Sequence, residues 1–199
     1  MKIHNILYLV LITFVLCLSA CTSRAPVVLK SDQTPSVVNV IALLPVESNV
    51  TDPKTSKIAR TKLCEELRFK GYPQIASDLI DSKLMPLTDG KEVKKNNAIP
   101  PKVIEELLGA DGVMYCSLTE SKTSTRFFYA PVTVSVHCVL RSTKTGETLW
   151  SAEYKSTNRS FDLIQSRLKM KSSGDLEAAM EEVVGKVMET LPYGPKLRG

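Results

Sequence analysis

The chain has 199 residues, 26 basic and 21 acidic, with 43% hydrophobic residues and a formal net charge of +5. That length suits one domain with a short appendage, and the average apolar share excludes a wholly disordered chain. A mild basic excess spread along the sequence excludes a nucleic-acid footprint, and the lone long apolar run, at the N-terminus, excludes a polytopic membrane protein.

Residues 1–20 read as an export signal. Lys2 supplies the positive start and Ile6 to Leu18 is apolar apart from Thr13. A helix of that length spans about 20 Å, short of the ~30 Å hydrocarbon core, so it is a signal h-region rather than a membrane span. Leu18-Ser19-Ala20-Cys21 then matches the bacterial lipobox. In that chemistry the Cys thiol receives a diacylglyceryl group, and a peptidase that needs small residues cuts between Ala20 and Cys21. Two or three acyl chains, at ~0.8 kcal/mol per buried methylene, anchor a protein essentially permanently. Thr22 stands where enteric lipoproteins kept in the inner membrane carry Asp, so the expected address is the outer membrane, facing the periplasm. Residues 21–36, with Pro26, Pro35 and no sustained period, read as the lipidated N-terminus and a flexible tether; residues 37–192 form a single domain and residues 193–199 a disordered tail.

Val37 to Val46 is nearly all apolar and rich in β-branched residues, which predicts a central strand buried on both faces. Lys54 to Lys70 carries Ala59, Leu63 and Leu67 on one helical face with Gly71 as its stop, while Ile58 and Phe69 fall opposite. A short strand over Tyr72 to Ala76 and a helix from Asp78 to Met85 follow. Pro86 to Pro101 is polar and basic and reads as a loop; Pro100 and Pro101 open a helix to Leu108. Gly109 to Gly112 turns into a strand, Val113 to Thr119. Pro131 to Arg141 alternates strictly, with Val132, Val134, Val136, Cys138 and Leu140 on one face. Thr143 to Gly146 is a hairpin turn and Glu147 to Lys155 the returning strand. Phe161 to Met170 predicts a short basic amphipathic helix, and Leu176 to Leu191 a separate one. This order predicts an α/β fold, a mixed sheet of about five strands with helices packed on it.

Several of these segments resemble a family of bacterial lipoproteins of unknown function. The matching residues are Leu44-Pro45-Val46, Leu67 with Lys70-Gly71-Tyr72, Leu79-Ile80-Asp81 with Leu84, Ile99-Pro100-Pro101, Leu108 to Tyr115, and Thr145 to Trp150. The resemblance spans Val37 to Trp150. It implies a fold like the N-terminal domain of TolB and the peptidoglycan-synthase activator LpoB, which are periplasmic binding modules rather than enzymes. It therefore implies a non-catalytic, protein-binding or assembly accessory of an envelope or transport system, with activation of a peptidoglycan synthase as the alternative. The partners it implies are the membrane, through the anchor, an envelope protein, and a second copy of the chain.

The residues themselves carry little chemistry. Cys116 and Cys138 lie on neighbouring strands and on apolar faces; we read them as buried free thiols, with a disulfide as the alternative. His137 and Cys138 point to opposite faces of a strand, so they make no nucleophile pair, and a hydrolase or thiol oxidoreductase is the distant alternative. Asp78 and Asp111 suit helix starts and turns. Neither a metal-ligand spacing nor a cofactor motif is present, so no metal and no cofactor are expected. Two stretches are candidate partner surfaces. One is Arg126-Phe127-Phe128-Tyr129, read equally as core or as interface; the other is Arg159, Arg167, Lys169 and Lys171 around Phe161, Ile164 and Leu168.

Overall fold

The computed structural model describes residues 27–28, 38–48, 53–88, 99–124 and 127–197. The signal segment, Ala20, Cys21, Arg126 and the lysines at 91, 94 and 95 lie outside the described residues. Six strands form one sheet: β1 (Val27–Val28), β2 (Ile41–Leu43), β3 (Glu47–Ser48), β4 (Gly112–Thr123), β5 (Tyr129–Ser142) and β6 (Thr148–Phe161). Their order is β1-β6-β5-β4-β2, with β3 also pairing β4. β2 and β3 run parallel to β4, and the other pairs are antiparallel, so the sheet is mixed as expected. Four helices pack on it: α1 (Pro53–Phe69), α2 (Ser77–Leu84), α3 (Pro101–Leu108) and α4 (Gln165–Glu189), with a 3-10 turn at Met85–Thr88.

The apolar run around β2 is buried on both faces, but β2 ends the strand order rather than occupying its centre. It is enclosed because alternate residues serve two cores. Ile41 and Leu43 join Ala59, Leu63 and Leu67 of α1 and Met180, Val183 and Val187 of α4. Ala42 and Leu44 join Ile80 and Leu84 of α2 and Ile104 of α3. The segment after α1, expected as a strand, makes only a bridge from Gln74 to Ile41. Helix ends follow local chemistry. Gly71, at φ 84°, lets Tyr72 N–H reach back to the Leu67 carbonyl, and Gly109, at φ 64°, closes α3 with its N–H on the Glu105 carbonyl.

Four further expectations need correction. The helices expected at Phe161–Met170 and Leu176–Leu191 are one 25-residue helix, α4, and Phe161 ends β6 instead. The stripe Leu168, Ser172, Ala179, Val183 and Val187 is buried along its whole length, so packing carries the helix through Ser172-Ser173-Gly174 against their low propensity. Second, β6 continues to Phe161 because its helix-facing polar residues are bonded: Ser156 Oγ donates to Glu182 at 3.1 Å, and Ser160 Oγ to Asp175. Third, part of the segment read as a tether is paired, Val27 and Val28 lying antiparallel to Glu153 and Ala152. Fourth, the segment after residue 192 is ordered as far as 197. Gly194 N–H bonds the Lys70 carbonyl at 2.7 Å and Lys196 N–H the Gly71 carbonyl at 3.3 Å. The buried Lys70 ammonium in turn donates to the Glu189 and Leu191 carbonyls, both at 3.0 Å, and so completes the C-terminus of α4.

Candidate interaction surface

α1 and α4 run parallel on one face of the sheet. Lys62 pairs with Glu181 at 3.3 Å, and eight residues on Lys70 meets Glu189. At that offset Pro53 is level with Ser172, so the first two turns of α4 extend beyond α1. There α4 alone covers the far halves of β5 and β6, burying Val132, Val134 and Val136. Among the described residues no helix core covers the opposite face of these strands. That face is a row of short polar and charged side chains tied across strands: Thr133 with Thr157 at 3.0 Å, Thr119 to Ser135 at 2.8 Å, Ser135 to Glu153 at 3.3 Å, and His137 with Ser151 at 3.2 Å. Glu120 accepts from Lys155 and Lys122, chiefly Lys155, and these bonds hold its carboxyl below the usual carboxylate range.

At the far end of this ribbon the two stretches singled out in the sequence come together. β5 and β6 are in a register that sets Tyr129 opposite Phe161, with ring centroids 5.1 Å apart, and the Asp162 N–H bonds the Phe128 carbonyl. Phe127 and Phe128 are exposed, at 81% and 55%, so they are not core. Phe127 holds φ 38°, a left-handed backbone that costs strain in an aromatic residue and projects its ring outward. Phe161, Leu163 and Ile164, next to this end in the β6–α4 connection, are exposed, as is Met170 on the outer face of α4. Arg159, Arg167, Lys169 and Lys171 are exposed around this group, and Leu168, which the basic stretch also contained, is fully buried beneath it. Lys171 pairs with Asp162 at 2.8 Å; that bond and the Ile164 N–H depress the Asp162 pKa. The exposure of Leu163, Ile164 and Met170 was missed in the sequence. Counting outward from the Thr143–Gly146 turn along an uninterrupted β6 is the signal that finds this end.

Cys116 and Cys138 face each other directly across β4 and β5 with Cα atoms 4.2 Å apart, and they are disulfide-bonded, which overturns the reading as free thiols. The expectation failed because burial alone does not separate a packed thiol from a bridged one; an exact cross-strand register does. Cys64 is the free thiol among the described residues. His137 lies on the sheet's open side, where the adjoining recess, shared with Glu47, Tyr115 and Ser117, holds about 30 Å³. Asp111 accepts the N–H groups of Asn39 and Val40 at 2.9 and 2.6 Å and so fastens the start of β2, and Asp81 pairs with Arg60 at 2.7 Å. Asp78 sits in the first turn of α2 without capping it. Among the described residues no three His, Cys, Asp or Glu side chains group to hold a metal, and no helix is long and apolar enough to cross a membrane.

The fold is thus an α/β domain whose mixed sheet carries helices on both faces at one end and on one face at the other. The chain is a member of the family described as "Putative lipoprotein GNA1162-like", whose model matches residues 30–192. It is thus a lipoprotein, membrane-anchored in the cell envelope, of a family that is not a known enzyme family. Its structure is similar to lipoprotein GNA1162 from Neisseria meningitidis, with a TM-score of 0.53 and 20% identity over 70% of this chain and 96% of that one. A point variant of the PelC dodecamer from Paraburkholderia phytofirmans has a TM-score of 0.52 and 14% identity, covering 81% of this chain and 95% of that one. A looser likeness, TM-score 0.42 and 15% identity over 63% and 87%, is to the LpoB C-terminal domain from Salmonella enterica. No curated protein matches the chain.

Proposed function

We propose that this chain is an outer-membrane lipoprotein, acylated at Cys21 after cleavage behind Ala20 and facing the periplasm. It acts without catalysis, as a protein-binding or assembly accessory of an envelope or transport system. The observation that carries this reading is the open face of the β4–β5–β6 ribbon, pre-ordered by the Thr133–Thr157, Thr119–Ser135 and Ser135–Glu153 bonds. Such a face offers contact area with its polar groups already oriented, whereas the recess beside His137 has room for a water molecule rather than a substrate. The disulfide speaks against a thiol enzyme, because both sulfurs are bonded and buried. The PelC structure is a dodecamer, which supports self-association as one form of that contact.

The test is sedimentation of the full-length chain in mild detergent, with identification of what travels with it. The wild type is expected as an oligomer or with a second envelope protein, and Thr133→Arg/Thr157→Arg, on the open face, to return it to a lone protomer with its melting temperature kept. A wild-type lone protomer with no companion, or a variant that assembles as before, overturns the reading.

A further inference from the structure

We propose that the end of the domain formed by Phe127 and Phe128 and the β6–α4 connection is a membrane-docking surface, seated on the anionic phospholipid bilayer that holds the chain's own anchor. The inference rests on the lipoprotein reading, since it needs the acyl chains on Cys21. Two independent observations carry it. The first is composition. Phe127, Phe128, Phe161 and Leu163 are all more than half exposed at one end, and a soluble domain seldom leaves so many large apolar side chains together in water. Around them stand Arg159, Arg167, Lys169 and Lys171 against two acids, Asp162, which Lys171 pairs, and Asp175, which accepts from Ser160. Apolar side chains ringed by Arg and Lys match the two layers of a bilayer surface, acyl boundary below and phosphate above.

The second observation is the direction of the anchor. β1 is antiparallel to β6, with Val27 opposite Glu153 and Val28 opposite Ala152. The chain therefore enters β1 from the Phe161 end of β6. Cys21 is six residues upstream of Val27, within about 20 Å of chain, and the sheet from Glu153 to Phe161 measures about 26 Å. The anchor thus lies on the Phe161 side of β1, and the six residues, fully extended, stop about 6 Å short of the Phe161 level, a gap within the thickness of one headgroup layer. The short tether keeps the tip at high local concentration near the lipid, so a surface of modest intrinsic affinity suffices. Docking this end leaves the open ribbon face turned along the membrane, free for protein.

The experiment uses the full-length acylated chain in vesicles of phosphatidylglycerol and phosphatidylcholine, and in phosphatidylcholine alone, with acyl chains brominated at a known depth. Phe127→Trp reports on the tip, and Lys144→Trp, in the turn at the opposite end of the β5–β6 hairpin, is the control; each is read against the native Trp150 background. The expected result is a blue-shifted Phe127→Trp emission that brominated chains quench, more strongly with phosphatidylglycerol, while Lys144→Trp stays unshifted and unquenched. Arg167→Glu/Lys169→Glu should remove the excess that the anionic lipid gives. A blue shift without bromine quenching means that protein covers the tip, and a tip as wet as the control means that nothing does; either overturns the proposal. Mass spectrometry of the vesicle-bound chain separates the failures. An unmodified Cys21 sinks the lipoprotein reading and the docking with it, whereas an acylated chain whose tip stays unquenched sinks the docking alone.

Discussion

Around β2 and the first half of β4 the sheet is covered on both sides. Ile41, Leu43, Met114 and Cys116 face α1 and α4, while Ala42, Leu44, Val113 and Tyr115 face α2 and α3. Beyond Leu118 the same sheet has α4 on one face only, a bonded polar row on the other, and exposed aromatic residues at its end. The difference divides the labour of the molecule. Two-sided burial removes apolar surface from water and holds the fold together; the one-sided half adds little burial per residue and leaves the surfaces that can touch something else. α4 joins the two, with its last turns in the base and its first turns in the tip.

Substitutions in the base should have the largest effects. Trp150 is buried in the α1–α4 core and donates its indole N–H to Thr190 at 3.1 Å. Trp150→Ala should cost about 3–5 kcal/mol in a denaturant titration; a loss under about 1 kcal/mol on the same titration would move stability out of the base. The disulfide, which closes a loop of separation 22, comes next. Replacing Cys116 and Cys138 together by Ala should cost about 3 kcal/mol, and added reductant should then shift the wild type but not the variant.

Smaller changes sharpen the picture. A Cβ added at Gly174, in the middle of α4, meets no neighbour, so Gly174→Ala should stabilise by roughly 0.5–1 kcal/mol through helix propensity alone. Its effect on hydrogen exchange should reach both ends of α4, since one helix spans them. Phe127→Ser/Phe128→Ser should stay within about 0.5 kcal/mol of the wild type with an unchanged far-UV spectrum; unfolding would place these rings in a core. The weakest effect is electrostatic. Glu120 is held below the ordinary carboxylate range chiefly by Lys155, and Asp162 chiefly by Lys171. Groups with lowered folded-state pKa values stabilise above the unfolded value of ~4 and lose that contribution as pH falls through the lowered ones. Carboxyl titration by NMR should show both midpoints depressed and moving back toward normal with added salt, because these pairs are exposed and screened.

Much of the base was legible in the sequence because its signals are local and periodic. The stripe of Ala59, Leu63 and Leu67, the alternation from Val132 to Leu140, and Gly71 and Gly109 as stops each announce an element without reference to any other. The tip was legible only in fragments. Ser156, Asn158 and Ser160 look like loop residues until Glu182 and Asp175 of the helix above are known to pair the serines, and Ser172-Ser173-Gly174 looks like a break until the sheet beneath is in place. Aromatic residues in a polar stretch read equally as core or surface, since sequence does not say how far the covering helices reach.

What the sequence determined by itself was therefore the α/β class, the helix faces and the hairpin turn, because each depends on residues a few positions apart. Tertiary structure alone decided that β2 ends the strand order, that Cys116 meets Cys138, that β6 and α4 run as long as they do, and that Tyr129 stacks on Phe161. Those outcomes depend on strand register and on what covers each face. Both are set by the fit of elements distant along the chain, where a one-residue slip turns every side chain to the other side.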